Sequence, residues 1–244
     1  MFHFEIIDKM NIFQLKRRIG MIVSLPYTIY FNFLYLPLKQ AIKLPIVLYS
    51  PRFWALGGKV IIKSSNVRFG MIRLGLFNAS IDNGKGFTWM NEGGTVIFYG
   101  NFATGPGSVF KIGKATALLE FGNDINNTSS LKIDCHYHIK IKDRSRIGWG
   151  VIIMDSNLHR LKNSDGSWAG KGYDAIEIGE NSWISSQCAV LPGTRFPSYS
   201  VCSLGSILNR DYSNSGKGLY AGRPAKLIKE GIWSDMSDCN IEYE

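Results

Sequence analysis

The sequence predicts an all-β chain wound as a parallel β-helix, with an apolar, partly helical segment before it and a short C-terminal helix or tail after it. Three observations lead there. Six-residue steps from Ile178 meet Ile184, Val190, Phe196, Cys202 and Leu208, all apolar. The fourth residue after each of the first five is small: Ser182, Cys188, Thr194, Ser200 and Ser206. Residues 58–230 are also punctuated by glycine and rich in isoleucine and valine, with poor helical periodicity, which favours short strands with frequent turns.

The geometry of such a coil explains both positions. Each short strand directs one large side chain into a narrow prism, and the corner beside it has room only for a small one. Stacked coils then align the apolar positions into continuous internal ladders. Upstream, Ile141, Ile147 and Ile153 keep the step, with Ser145 and Val151 in the small positions. Phe121, Asn127 and Ile133 keep it more loosely, because Asn127 breaks the apolar rule; Phe98, Thr104 and Phe110 keep it with weaker chemistry. The β-helix is therefore expected over 56–230. The apolar segment takes 1–55, with a first helix around 10–23, and a tail takes 231–244.

Within the apolar segment, Ile19 to Leu38 carries no charge and is flanked by Arg17, Arg18 and Lys39. That length would span a bilayer. Pro26 and Pro37 argue against a span, since each removes a helix hydrogen bond that lipid cannot replace. The aromatics Tyr27, Tyr30, Phe31, Phe33 and Tyr35 suit a membrane interface or an edge strand better than a bilayer centre. Packing on the domain or peripheral contact with the inner membrane is the expectation.

Hydrophobic residues make up 45% of the chain and charged residues 19%, which excludes a disordered class. The net charge of +9 has one tight cluster, Lys16, Arg17 and Arg18, and suits anionic lipid headgroups or a phosphate-rich cofactor. A nucleic-acid partner is not expected. The four cysteines, Cys135, Cys188, Cys202 and Cys239, match neither a zinc ribbon nor a CxxC pair. The opening MFHFEIIDKM lacks the pattern of a secretory signal, so reduced thiols and a cytoplasmic protein are expected.

The period breaks after Ile153. The widest gap in the period runs to twenty-five residues: six residues after Ile153 stands His159, and the rhythm resumes only at Ile178, so a polar, glycine-rich loop is inserted at about 160–175. In IIMDSNLHRL, Asp155, Asn157 and His159 alternate, and an extended chain would put them on one face. A histidine at the root of a loop is a candidate general base, with the aspartate orienting its ring. A surface histidine satisfied by its neighbours is the other reading.

The stretches IIMDSNLHRL, AIEIGENSWISSQCAVLPGTRFPSYSVCSLGSIL and YAGRPAKLI resemble the C-terminal half of the hexapeptide-repeat acyltransferases. More narrowly they are similar to the acetyltransferases of bacterial capsule, O-antigen and exopolysaccharide clusters. LPLKQAIKLPIVL, GKVIIKSS and GMIRLG resemble the N-terminal part of that subgroup. The resemblance implies a left-handed β-helix, a homotrimer with active sites between subunits, acetyl-coenzyme A as co-substrate, a saccharide acceptor and no metal. It implies His159 as the catalytic base, with Asp155 and Asn157 at the two preceding polar positions of its motif. It places Trp183 beside the cleft and runs the coenzyme past Ser185, Ser203, Gly205, Arg210, Arg223 and Lys226. Ser185 stands where the family has glycine, and Arg223 where it has asparagine. Cationic side chains and backbone N–H groups suit the pyrophosphate and 3′-phosphate of the coenzyme.

The implied reaction is direct acetyl transfer to a sugar hydroxyl without an acyl-enzyme, with a backbone N–H or the Ser185 hydroxyl on the oxyanion. Asp124, Asn126 and the loop, with Trp168 and Tyr173, are candidates for sugar contact. Three other readings stay open. His136 and His138 in DCHYH alternate and would share a strand face, as zinc ligands do in some β-helices. The β-helix would otherwise serve as a saccharide-binding scaffold without chemistry, or the acceptor would be the amine of an amino-sugar nucleotide.

Overall fold

The computed structural model describes residues 12–76 and 85–235; residues 1–11, 77–84 and 236–244, Cys239 among them, lie outside the described residues. The chain winds as a left-handed parallel β-helix whose strands visit three sheets in turn, of nine, seven and six strands. Among the described residues, all pairings between strands of these sheets are parallel except the last, where Gly218–Gly222 and Ala225–Glu230 form an antiparallel hairpin. That hairpin closes the C-terminal end; of the expected helix or tail over 231–244, residues 236–244 lie outside the described residues.

Every residue found by the six-residue step stands on an internal ladder. Leu74, Thr104, Asn127, Ile147, Ile184, Cys202 and Tyr220 align down the nine-stranded sheet. Trp89, Phe110, Ile133, Ile153, Val190 and Leu208 align down the seven-stranded sheet. Ile62, Phe98, Phe121, Ile141, Ile178 and Phe196 align down the six-stranded sheet. All are buried, and each large apolar member contributes about 1.5–3 kcal/mol by leaving water.

The small positions do more than fit. The Ser182 hydroxyl donates to the Pro197 carbonyl (3.0 Å) and Thr194 to that of Leu208 (3.0 Å), while Ser200 and Ser206 accept from Gly218 N and Gly222 N (3.1 Å each). Each small polar side chain thus ties its corner to the next coil, and none is left unbonded in the interior. Asn127 follows the same logic. Its side chain accepts from Thr104 Oγ1 (2.8 Å) and donates to the carbonyls of Gly148 (2.9 Å) and Ile147 (3.2 Å). The exception to the apolar rule is a satisfied buried network.

Irregularity collects at one edge of the prism. From Phe98 onward, the steps from the six- to the nine-stranded sheet and from the nine- to the seven-stranded sheet all keep six residues between ladder positions. At the edge joining the seven- to the six-stranded sheet, the chain takes eleven residues from Phe110 to Phe121, eight from Ile133 to Ile141 and twenty-five from Ile153 to Ile178. Extra residues leave the flanking strands in register when they bulge outward at a corner.

The first coil begins at Ile46, ten residues before the expected start, and three helices precede it: α1 (Ile12–Val23), α2 (Leu25–Tyr35) and α3 (Leu38–Ala41). The segment is divided into short helices, and Pro26 and Pro37 stand where the second and third begin. Pro26 lies in the first turn of α2, where its missing N–H costs nothing, and Pro37 caps α3. Helix α2 covers the open end of the prism. Its Asn32 amide accepts from Ile46 N (3.1 Å) and donates to Ile46 O (2.7 Å); Thr28 Oγ1 and Ser24 Oγ accept from Leu48 N (3.1 Å) and Ser50 N (2.8 Å). A polar stripe at helical spacing thereby takes the place of a neighbouring strand along an exposed sheet edge. Phe31, on the same face, plugs the interior against Phe53 (ring centroids 5.8 Å apart) and Trp89 (5.1 Å).

Candidate functional site

The long step from Ile153 to Ile178 leaves the prism as a paired arm. Asn157 N donates to Gly172 O (2.8 Å), Ala169 N to Leu161 O (2.8 Å) and Asn163 N to Ser167 O (2.8 Å), with antiparallel bridges between Ser156 and Tyr173 and between Lys162 and Trp168. Arg160 lies 4.0 Å and Lys162 5.1 Å from the Trp168 ring centre. At the base, Tyr173 meets the Tyr137 ring edge-on at 5.1 Å. His159 sits at the root of this arm, exposed, and its ring has no hydrogen bond to any described residue.

The structure does not bring Asp155 to His159. The strand ends at Met154, and Leu158 takes the left-handed conformation (φ 61°), so the alternation that would put Asp155, Asn157 and His159 on one face is broken. Asn157 and His159 are exposed, whereas Asp155 is fully buried. Its two carboxylate oxygens accept from His136 N (2.8 Å) and Tyr137 N (2.9 Å) of the preceding coil. It also takes part at the arm's base, where its carbonyl accepts from Asp174 N (3.0 Å). Asp155 clamps the corner from which the arm departs.

Four of the residues expected along the coenzyme gather at the next edge, between the nine- and seven-stranded sheets. Ser185 stands on one corner loop there, Ser203 and Gly205 on the next, and Arg223 on the turn of the closing hairpin stacked against it. Gly205 has φ 71°, as Gln187 has φ 57° and Gly150 φ 69° at the equivalent places one and two coils earlier, so the turn itself requires that conformation. Arg223 Nε donates to Gly205 O (2.6 Å), which fixes the guanidinium across the corner. The backbone N–H groups of Ser185, Ser203 and Gly205 are all spent inside the coils, on Cys202 O (2.9 Å), Tyr220 O (2.8 Å) and Ser186 O (3.0 Å). None of these three N–H groups is therefore free to donate to an oxyanion. What this edge offers an anion is the exposed Arg223 side chain and the serine hydroxyls.

The other expected contacts are dispersed. Trp183 points outward from the nine-stranded sheet between Arg146 and Val201. Arg210 lies on the arm's own edge, past the last strand of the seven-stranded sheet, with its guanidinium 5.9 Å from the Tyr212 ring centre. Lys226 is exposed on the closing hairpin, opposite Ala221. Asp124 and Asn126 line a groove of about 320 Å³ with Arg17, Arg73 and Asn101, outside the nine-stranded sheet and apart from the arm. There Asp124 is paired with Arg146 (2.9 Å).

Sequence reasoning missed a cluster beside the arm. His138 Nε2 and the Tyr99 hydroxyl lie 2.8 Å and 2.6 Å from the Glu120 carboxylate. His136 instead pairs with Asp134 (2.8 Å), which also meets Lys111 (3.2 Å). The alternation in DCHYH was the available signal, but the two imidazoles engage different carboxylates. Among the described residues, no three His, Cys, Asp or Glu side chains form a group able to hold a metal ion. Burial pushes the Glu120 carboxyl up, and the hydrogen bonds from Tyr99 and His138 more than offset this, leaving it below its ordinary range. A carboxylate so held stabilises the fold above the unfolded carboxylate pKa and loses that contribution as pH falls through its own lower value. Glu120→Gln should therefore cost about 1.5–3 kcal/mol in urea melts near neutral pH. The gap to the parent should close well below the carboxylate range; a gap of constant size at both pH values contradicts the assignment.

No family model matches the chain, and no curated protein matches it. Two solved structures are similar. One is the polySia-specific acetyltransferase NeuO, at 21% identity over 78% of this chain and 90% of that one, with a TM-score of 0.39. The other is the polysialic acid O-acetyltransferase OatWY, at 19% identity over 77% and 82%, with a TM-score of 0.35. What those two proteins act on is theirs; this chain's chemistry is read from its own two edges.

Proposed function

We propose that the chain is an O-acetyltransferase, moving an acetyl group from acetyl-coenzyme A to a hydroxyl of a bacterial surface polysaccharide or its lipid-linked precursor. The observation that carries this is the placement of the longest break in the coil rhythm, from Ile153 to Ile178. It projects an arm with an imidazole at its root that bonds to no described residue, while the neighbouring edge holds a cation strapped to a backbone carbonyl. The motif resemblance around His159, Trp183 and Arg223 points the same way.

In this reading the coenzyme's phosphates lie near Arg223 and Lys226, where charge-assisted hydrogen bonds favour them. An imidazole nitrogen of His159 takes the proton of the acceptor hydroxyl as that oxygen attacks the thioester carbonyl. The tetrahedral intermediate collapses, the carbon–sulfur bond breaks, and the imidazolium returns its proton to the departing thiolate. No acyl-enzyme is needed. Two of the three buried thiols fit this: Cys135 is pushed up by burial, and Cys202 by its hydrogen bond with Cys188 and by burial, so neither is a ready nucleophile.

His159 and Arg223 stand on different edges of one prism, so one copy does not assemble both halves of the site. A homotrimer resolves this, with the arm of one copy laid against the neighbour's coenzyme edge. Thiol release from acetyl-coenzyme A against a panel of glycans, with mass spectrometry of the products, tests the proposal. Release dependent on a saccharide hydroxyl, with an added acetyl mass on that saccharide, is the expected result. Transfer only to amino sugars would move the reaction to nitrogen, and no release with any glycan would leave a binding scaffold.

A further inference from the structure

The N-terminal end of the prism carries a surface that acetyl transfer does not use. Helix α2 is turned inside out. It buries Ser24, Thr28 and Asn32 against the first strand and exposes Tyr27, Ile29, Tyr30, Phe33 and Leu34, each by 43–52%. Ile22 and Val23 at the end of α1, and Leu38 and Ile42 around α3, extend the same apolar surface with exposures of 63–68%. On the walls of the first coil, Trp54 (74% exposed) and Ile61 stand outward at this end. A contiguous apolar face of this kind marks an interaction site rather than ordinary surface.

The charge of the molecule is concentrated at the same end. From Lys9 to Ile81 the sequence has eleven Lys or Arg and no Asp or Glu, whereas from Asp82 to Glu244 seventeen cations meet seventeen anions. Arg52 alternates with Phe53 and Lys59 with Val60, so both cations point outward beside Trp54 and Ile61; Arg18 on α1 and Lys39 on α3 are exposed. An apolar face rimmed by cations and aromatics complements an anionic lipid surface. It does not complement a second copy of itself, which would set like charge against like. No helix among the described residues is long and apolar enough to cross a membrane.

We infer that this end of the prism docks on the surface of an anionic bilayer. Helix α2 lies in the plane of the membrane, its aromatic face enters the headgroup–acyl boundary, and the rim cations rest against lipid phosphates. This stands independently of the acetyl-transfer reading. The test is co-sedimentation of the full chain with vesicles of phosphatidylcholine alone and of phosphatidylcholine mixed with phosphatidylglycerol. Binding to the mixed vesicles is expected, weakening with salt. Arg18→Gln and Arg52→Gln should each weaken it about fivefold at low salt. Tyr30→Glu combined with Phe33→Glu should abolish it with the thermal melt unchanged. Failure to bind mixed vesicles, equal binding to neutral ones, or binding kept by the Tyr30/Phe33 variant overturns the inference. So does a parent chain that ignores vesicles but sediments as a larger assembly than that variant, which assigns the face to a second copy.

Discussion

His159→Ala is expected to lower acetyl transfer by about 10²–10⁴-fold, the range a positioned general base supplies. The fold should hardly notice. The imidazole is exposed and bonded to no described residue, so its loss falls in the class of surface changes worth about 0.5 kcal/mol or less. Leu158, not His159, carries the left-handed turn at the arm's root, and the bridges from Ser156 to Tyr173 and from Lys162 to Trp168 do not involve the ring. Single-turnover thiol release read beside a thermal melt checks both halves. Turnover within a few-fold of the parent would remove this residue from the chemistry.

Asp155→Ala should do the reverse, with its main effect on stability. Two backbone N–H groups, those of His136 and Tyr137, lose the acceptor that the buried Asp155 carboxylate gives them. An unpaired buried donor costs about 1–3 kcal/mol, so the pair amounts to about 3 kcal/mol or more. For a chain of this size that is a fall of about 6–12 °C in Tm. Asp155→Asn should recover only part, because its amide keeps one acceptor and turns an NH₂ toward the second donor. The arm starts at this corner, and Tyr137, whose ring braces Tyr173, is one of the two residues clamped. Activity should therefore fall together with stability, and a protease should cut within 156–174 before the coils open. A variant that melts like the parent while losing turnover would return Asp155 to a direct role beside the imidazole.

The ladders were legible in the sequence because a β-helix is close to one-dimensional. Each coil contacts only the coils above and below it, so a fixed step along the chain maps onto a fixed place in space. The same step identified Ser182, Ser200 and Ser206 as corner residues, though not the hydrogen bonds that make a hydroxyl preferable to alanine there. It misjudged Asn127 as a lapse, since the partners Thr104, Ile147 and Gly148 lie one coil away on either side and no local pattern announces them. The alternation read through Asp155, Asn157 and His159 failed for a related reason. It assumed extended backbone, and the chain turns left-handed at Leu158 to leave the prism.

The sequence by itself determined the coil, its period, the point where that period breaks and the imidazole placed there, because those depend on side-chain size at regular spacing. Only the tertiary structure decided which way each polar group faces. It sent the Asp155 carboxylate inward to a neighbouring corner, put His159 and Arg223 on separate edges, and turned the polar stripe of α2 onto the first strand with its aromatics outward. Those outcomes depend on which backbone donors a coil or a sheet edge leaves unpaired, and that is known only once the chain has closed on itself.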